Sequence, residues 1–121
     1  MMGKIPKASE AQISKAIMEY LAARHIFSLR MNSGMRVGEY KGKQWAIHMH
    51  EPGTADILAF PQWTIRHLGV TDKRISIFWL EVKSATGKQT EVQKSFQAQV
   101  EAEGHRYAVV RSVEDVEALL R

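Results

Sequence analysis

Apolar and polar positions alternate along the chain in two rhythms, one helical and one extended. Ile13, Ile17 and Leu21, joined by Tyr20, form a stripe at helical spacing. Ser9 with Gln12 makes a capping box ahead of it, so a helix is predicted over 9–24. Residues 26–32 read as a short extended piece stopped by Ser33-Gly34. In WAIHMH, Trp45, Ile47 and Met49 alternate with Ala46, His48 and His50, and the region around Lys41-Gly42 reads as a hairpin. After Pro52-Gly53, DILAF at 56–60 is a short apolar run with an acid at its head. Residues 61–73 look like a connecting loop with room for a helical turn.

Arg74 to Lys83 is the longest strand candidate. Ile75, Ile77 and Trp79 fall on one face and Phe78, Leu80 and Val82 on the other; two apolar faces predict a central strand. Thr90 with Gln93 is a second capping box, opening a helix that ends at Gly104. YAVV at 107–110 reads as a buried strand, and Ser112 with Asp115 caps a last short helix to Leu120. The step from 74–83 through 90–103 to 106–111 predicts a right-handed parallel crossover. The earlier strands, close in sequence, suit antiparallel pairing. The expected fold is α/β: one domain over 1–121 with a mixed β-sheet and helices on both faces.

Composition narrows the classes. At 45% hydrophobic and 25% charged residues the chain can bury one ordinary core, and no repeat or low-complexity segment shows. The lack of cysteine excludes disulfides and thiolate zinc sites. No apolar run reaches membrane-span length and no secretory signal begins the chain, so a cytoplasmic setting is expected. A net charge of +4 suits a phosphate-bearing partner, and equally a basic soluble protein.

The candidate chemistry lies at strand ends. Glu81 and Lys83 point the same way from a strand that should still be buried, which is costly unless they are paired or employed. Asp56 starts one apolar strand and Glu81 nearly finishes another. If those strands are antiparallel neighbours, the carboxylates converge, with Lys83 on the same side as Glu81. Convergent hard oxygens suit Mg²⁺ or Mn²⁺, with waters and substrate phosphate oxygens filling the remaining positions and the Val82 carbonyl as a further ligand. A metal there would polarise a phosphodiester and acidify a bound water. Lys83 would hold or deprotonate that water, or offset transition-state charge. The plain alternative is an ion pair of Lys83 with Asp56 or Glu81, since E-x-K triplets arise by chance in many chains.

Taken together, G53-T54-A55-D56, E81-V82-K83 and Gln93 resemble the catalytic signature of the PD-(D/E)XK nuclease superfamily. The pattern is most similar to its virus-type replication-repair nuclease (VRR-Nuc) branch, in the small stand-alone phage form. Glu10 in the first helix and the R-x-N-S-G stretch at Arg30 to Gly34 also match, so the resemblance runs from about residue 9 to 111. It implies a restriction-endonuclease-like αβββαβ core. It makes Asp56 and Glu81 metal ligands, Lys83 the catalytic lysine and Gln93 an orienter of water or phosphate, with Glu10 reaching the metal directly or through water. It further implies a Mg²⁺- or Mn²⁺-dependent endonuclease hydrolysing DNA phosphodiesters in a bacterial or phage-infected host cell, and a homodimer resolving four-way (Holliday) junctions with two symmetric sites. So small a domain has little room to read bases, which favours recognition of DNA shape. The sequence departs at Ala55, where the superfamily has proline; that residue shapes a turn and ligates nothing.

Two of these residues have other readings. Glu10 is also a first-turn acid that suits the helix dipole, and Gln93 is also the capping partner of Thr90. The alternative function is a non-catalytic nucleic-acid binding module that keeps the fold, or a structural interaction domain.

Other candidates stand outside the signature. His48 and His50 share a strand face, as two zinc ligands would, with the carboxylates able to supply the further ligands a site needs; a solvated face or a phosphate contact is the commoner use. Gly38-x-x-x-Gly42-Lys43 mimics a phosphate-binding loop but lacks a spacer residue, has Gln44 where Ser or Thr should hold Mg²⁺, and precedes no helix. Arg30, Arg36, Lys41, Lys43, Lys83, Lys88 and Lys94 could follow a nucleic-acid backbone. Trp45 and Trp79 read as core, Met31, Met35 and Met49 as gap-fillers, and Trp63 with Ile65 and Leu68 as a self-association surface or core.

Overall fold

The structure, a computed structural model, describes residues 7–31, 35–48, 53–67 and 70–120. The first helix, α1 (Glu10–Ala23), begins with the capping box in place: Gln12 N–H donates to the Ser9 hydroxyl and Ser9 N–H donates to the Gln12 side chain. It ends as His25 turns to φ +57°, while His25 and Ile26 N–H groups donate to the Ala22 and Leu21 carbonyls. Glycine usually fills that left-handed position.

Eight strands follow among the described residues: β1 (Phe27–Arg30), β2 (Met35–Tyr40), β3 (Lys43–His48), β4 (Ile57–Phe60), β5 (Gln62–His67), β6 (Val70–Ile75), β7 (Phe78–Val82) and, after α2 (Glu91–Ala102), β8 (Arg106–Val110). The last element is α3 (Val113–Leu119), capped by Ser112, whose hydroxyl accepts from Asp115 N–H. Four strands form the main sheet in the order β1-β4-β7-β8, with the first two pairings antiparallel and β7–β8 parallel. This is the expected mixed sheet, with the expected central strand in β7.

Alternation along β7 divides the molecule into layers. Phe78, Leu80 and Val82 join Ile57 and Ala59 in a core closed by Ile13, Ile17 and Leu21 of α1 and Val116 of α3. Trp79 and Glu81 take the other face, where α2 lies: Phe96 meets the Trp79 ring edge-on at 5.0 Å, and Gln93 meets Glu81. The Trp79 indole also donates to His105 Nδ1 at 3.0 Å, so its polar edge is satisfied as well as its ring packed.

The expectation of a loop over 61–73 and one strand over 74–83 is corrected. Residues 62–67 and 70–75 form a hairpin, and β7 starts only at Phe78. Its register, Gln62 opposite Ile75, continues that of β4 and β7, where Ala59 lies opposite Phe78. The two pairs are thus one long antiparallel ribbon with an interruption. The interruption falls at Pro61, which has no N–H to give the ladder and keeps only its carbonyl bond from Ser76 N–H at 3.0 Å. The β2–β3 hairpin also forms as expected. Lys41 (φ +50°) and Gly42 (φ +77°) make the two-residue turn whose left-handed backbone matches strand twist.

The expectations for Asn32, Ser33, Gly34, Met49, His50 and Leu68, and for the side chains of Met35, Arg36, Trp45, His48, Trp63 and Ile65, lie outside the described residues. Among those described, no helix is long and apolar enough to cross a membrane.

Candidate active site

Asp56 is fixed before its chemistry is considered. Its carbonyl accepts from Met31 N–H at 2.6 Å on the β1 side, and its Oδ2 accepts from Val82 N–H at 2.8 Å on the β7 side. The turn that delivers it is pressed onto the first turn of α2. Gly53 has φ +87°, and a β-carbon there would lie 2.6 Å from the Val92 carbonyl oxygen. Only glycine meets both demands. Thr54 and Ala55 behind it are buried, in packed surroundings.

The β4–β7 register, one step beyond Ile57 opposite Leu80, sets Asp56 across from Glu81. The two carboxyl groups lie close enough to share a hydrogen bond. Glu81 is only 2% exposed. Its Oε1 accepts from the Gln93 side-chain amide and stands 3.7 Å from the Lys83 ammonium. Its Oε2 is buried with no donor facing it. Two ionised carboxylates offer no proton to each other, so that oxygen calls for a shared proton or a cation.

The electrostatics follow. Burial pushes the Asp56 carboxyl above its ordinary range, against the pull of Val82 N–H. Burial, then the Asp56 charge, pushes Glu81 up to about 8 despite Lys83. Both shifts run the same way, so the metal-free pair favours retaining a proton. Glu10 adds its charge to both shifts. Its Oε1 comes within 3.4 Å of the point a Gly87 β-carbon would occupy, and Lys83 Cδ within 3.5 Å of the same point. Glu10 is therefore both the first residue of α1 and a neighbour of the site.

Val82 contributes through its backbone. The parallel ladder to β8 uses the odd-numbered residues of β7 and its flanks: Arg106 N–H donates to Ile77 O, and Lys83 N–H to Val110 O. The N–H and C=O of Val82 accordingly turn toward the Asp56 side.

Gln93 fills both roles that the sequence set as alternatives. Its Oε1 accepts from Thr90 N–H at 2.9 Å, closing the capping box, while its Nε2 donates to Glu81. An amide has a donor end and an acceptor end, so one side chain caps the helix and holds the carboxylate.

A feature that the sequence reading passed over is Arg111. Its Nη1 donates to the carbonyls of Ser84 and Gly87, the latter at 2.8 Å. A signal for it existed: the parallel crossover pairs Val82 with Val110, which sets the residue after β8 beside Lys83.

Among the described residues no three His, Cys, Asp or Glu side chains form a metal-holding group. Two carboxylates and an inward-turned carbonyl nonetheless fit a hard cation such as Mg²⁺, which keeps several waters and takes one or two protein carboxylates. The surrounding cations are uneven. Lys88, Arg30 and Lys43 are exposed, while Lys94 pairs with Glu91 at 3.1 Å. The chain matches no protein-family model, no curated protein and no solved structure.

Proposed function

We propose that this chain is a metal-dependent, structure-specific DNA endonuclease of the PD-(D/E)XK type, similar in plan to the VRR-Nuc branch. One observation carries the reading. Glu81, set across the sheet register from Asp56, has one buried oxygen with no donor, and Lys83 stands 3.7 Å from its other oxygen. The Lys83 ion pair does not satisfy that oxygen; in the metal-free protein a proton shared with Asp56 does, and a divalent cation would take that proton's place between the two carboxylates. The element order supports the same plan: with the two hairpins set aside, the chain runs α1, β1, β4, β7, α2, β8, as a restriction-endonuclease-like αβββαβ core does.

Asp56, Glu81 and the Val82 carbonyl would hold Mg²⁺ or Mn²⁺, which when bound polarises the scissile phosphodiester and makes water a better nucleophile. The rest of the chemistry belongs to the chain. Lys83 sets a positive charge where the phosphoryl group gathers negative charge. Gln93 keeps the Glu81 carboxylate aimed, and Glu10 supplies a further acid at the rim. Branched DNA is the proposed substrate and a two-fold homodimer the proposed working form, because paired incisions need paired sites.

The test is a panel of single-stranded, duplex, flap and four-way-junction DNA incubated with Mg²⁺ or Mn²⁺. Wild type should cut a branched member. Asp56→Asn and Lys83→Ala should each lose about a hundredfold or more in rate while keeping their circular dichroism. Cutting by Asp56→Asn at the wild-type rate would overturn the reading. Salt-dependent binding without cutting would make the chain a binding module.

A further inference from the structure

We infer that Arg111 is a positioning residue for the Lys83 end of the site; the inference rests on the nuclease reading for its activity readout. Lys83 is buried and follows directly on the last residue of β7, and Ser84 to Gly87 turn immediately after it. The turn's own bond, Gly87 N–H to Ser84 O, is long at 3.2 Å. Arg111 spans the same two residues from outside, with Nη1 donating to both the Ser84 and Gly87 carbonyls. Charge-assisted bonds of this kind are stronger than the neutral bond they reinforce.

The arginine is itself anchored. Its backbone N–H donates to Asp115 Oδ2 at 2.8 Å, and Asp115 N–H donates to the Ser112 hydroxyl that caps α3. A chain of contacts thus runs from the start of α3 through Arg111 to the turn. A β-carbon placed on Gly87 would lie 3.4 Å from the Glu10 carboxylate and 3.5 Å from Lys83 Cδ, so the turn passes close beside both groups. Releasing the Gly87 carbonyl lets the turn shift beside those two groups and changes their positions. Asp56 and Glu81, held by the sheet and by Gln93, keep theirs. Loss of Arg111 therefore disturbs the lysine and spares the carboxylate pair.

The experiment compares Arg111→Ala and Arg111→Lys with wild type on the branched substrate that wild type cuts. Hydrogen exchange of peptides spanning 83–88 is followed in parallel. Arg111→Ala should lose roughly ten- to a hundredfold in kcat, as small misplacements of a reacting group do, with KM and Mn²⁺ dependence within about twofold. Arg111→Lys, or millimolar guanidinium added to Arg111→Ala, should restore part of the loss. Exchange should quicken in 83–88 and stay unchanged in β4 and α1. Unchanged kcat, or kcat, KM and Mn²⁺ dependence failing together as folded protein is lost, would overturn the inference. If wild type cuts nothing, the nuclease reading falls and exchange decides: confined quickening in Arg111→Ala upholds the tether, and none overturns it.

Discussion

Replacing Glu81 with glutamine should make the metal-free protein more stable in alkali and leave it nearly unchanged in acid. The glutamine is isosteric, still accepts from Gln93, and offers Asp56 an N–H where the wild-type oxygen has no donor. The magnitude comes from the carboxyl's own titration. Folding raises Glu81 from 4.5 to about 8, chiefly through burial. At about 1.4 kcal/mol per pH unit, the full displacement is on the order of 5 kcal/mol. The proton is shared with Asp56, so on the order of 2 kcal/mol is expected for a change at position 81 alone. The sign is fixed by proton binding: the folded chain holds this proton more tightly than the unfolded one. The stabilisation is full below the unfolded value of 4.5 and is lost as pH climbs through about 8. Urea unfolding in chelator should show the two proteins alike near pH 5 and Glu81→Gln ahead by about 2 kcal/mol near pH 9. Saturating Mn²⁺ should reverse the order, since a ligand at a hundred times its Kd adds about 2.7 kcal/mol to the form that binds it. A variant no more stable than wild type near pH 9 would refute the reasoning.

Gly53→Ala combines left-handed strain with a 2.6 Å approach to the Val92 carbonyl, so it should cost about 2 kcal/mol or more in denaturant unfolding. Because the same turn carries Asp56, Mn²⁺ affinity measured by calorimetry should fall with it. Gln93→Glu keeps an acceptor for the Thr90 capping box but turns an acid toward Glu81. Helix content should hold by circular dichroism, while stability near pH 8 drops by about 1 kcal/mol and recovers in acid.

The helices were legible because their signals are local. Ser9 with Gln12, Thr90 with Gln93 and Ser112 with Asp115 each satisfy orphan N–H groups within one turn, and each cap forms. The central strand was legible from its two apolar faces. Its true start was not, because the break is set across the sheet: Ser76 and Ile77 carry no stop signal, and the interruption belongs to Pro61 on the facing strand. The run 62–75 lacks the strict alternation of a half-buried strand. A ribbon that extends past the main sheet needs no continuous apolar face, so the periodicity that marks packed strands does not mark it.

The site divides along the same line. The meeting of Asp56 with Glu81 could be reasoned from chain order, because antiparallel neighbours bring the start of one strand beside the end of the next. What could not be reasoned is how many tasks one side chain performs. The sequence offers Gln93 either as a cap or as a partner of the acids, and its amide bonds both Thr90 and Glu81, because its two ends serve different partners. Arg111 leaves no motif for a related reason: its partners are main-chain carbonyls far off in sequence, and the chain order of the parallel crossover is its one signal. Side chains that bond the backbone within one turn advertise themselves as capping motifs, and side chains that bond backbone distant in sequence do not. Positioning groups of the second kind therefore have to be found by asking which loop a charged residue after a parallel strand would meet, and here that loop is the one that passes beside Lys83.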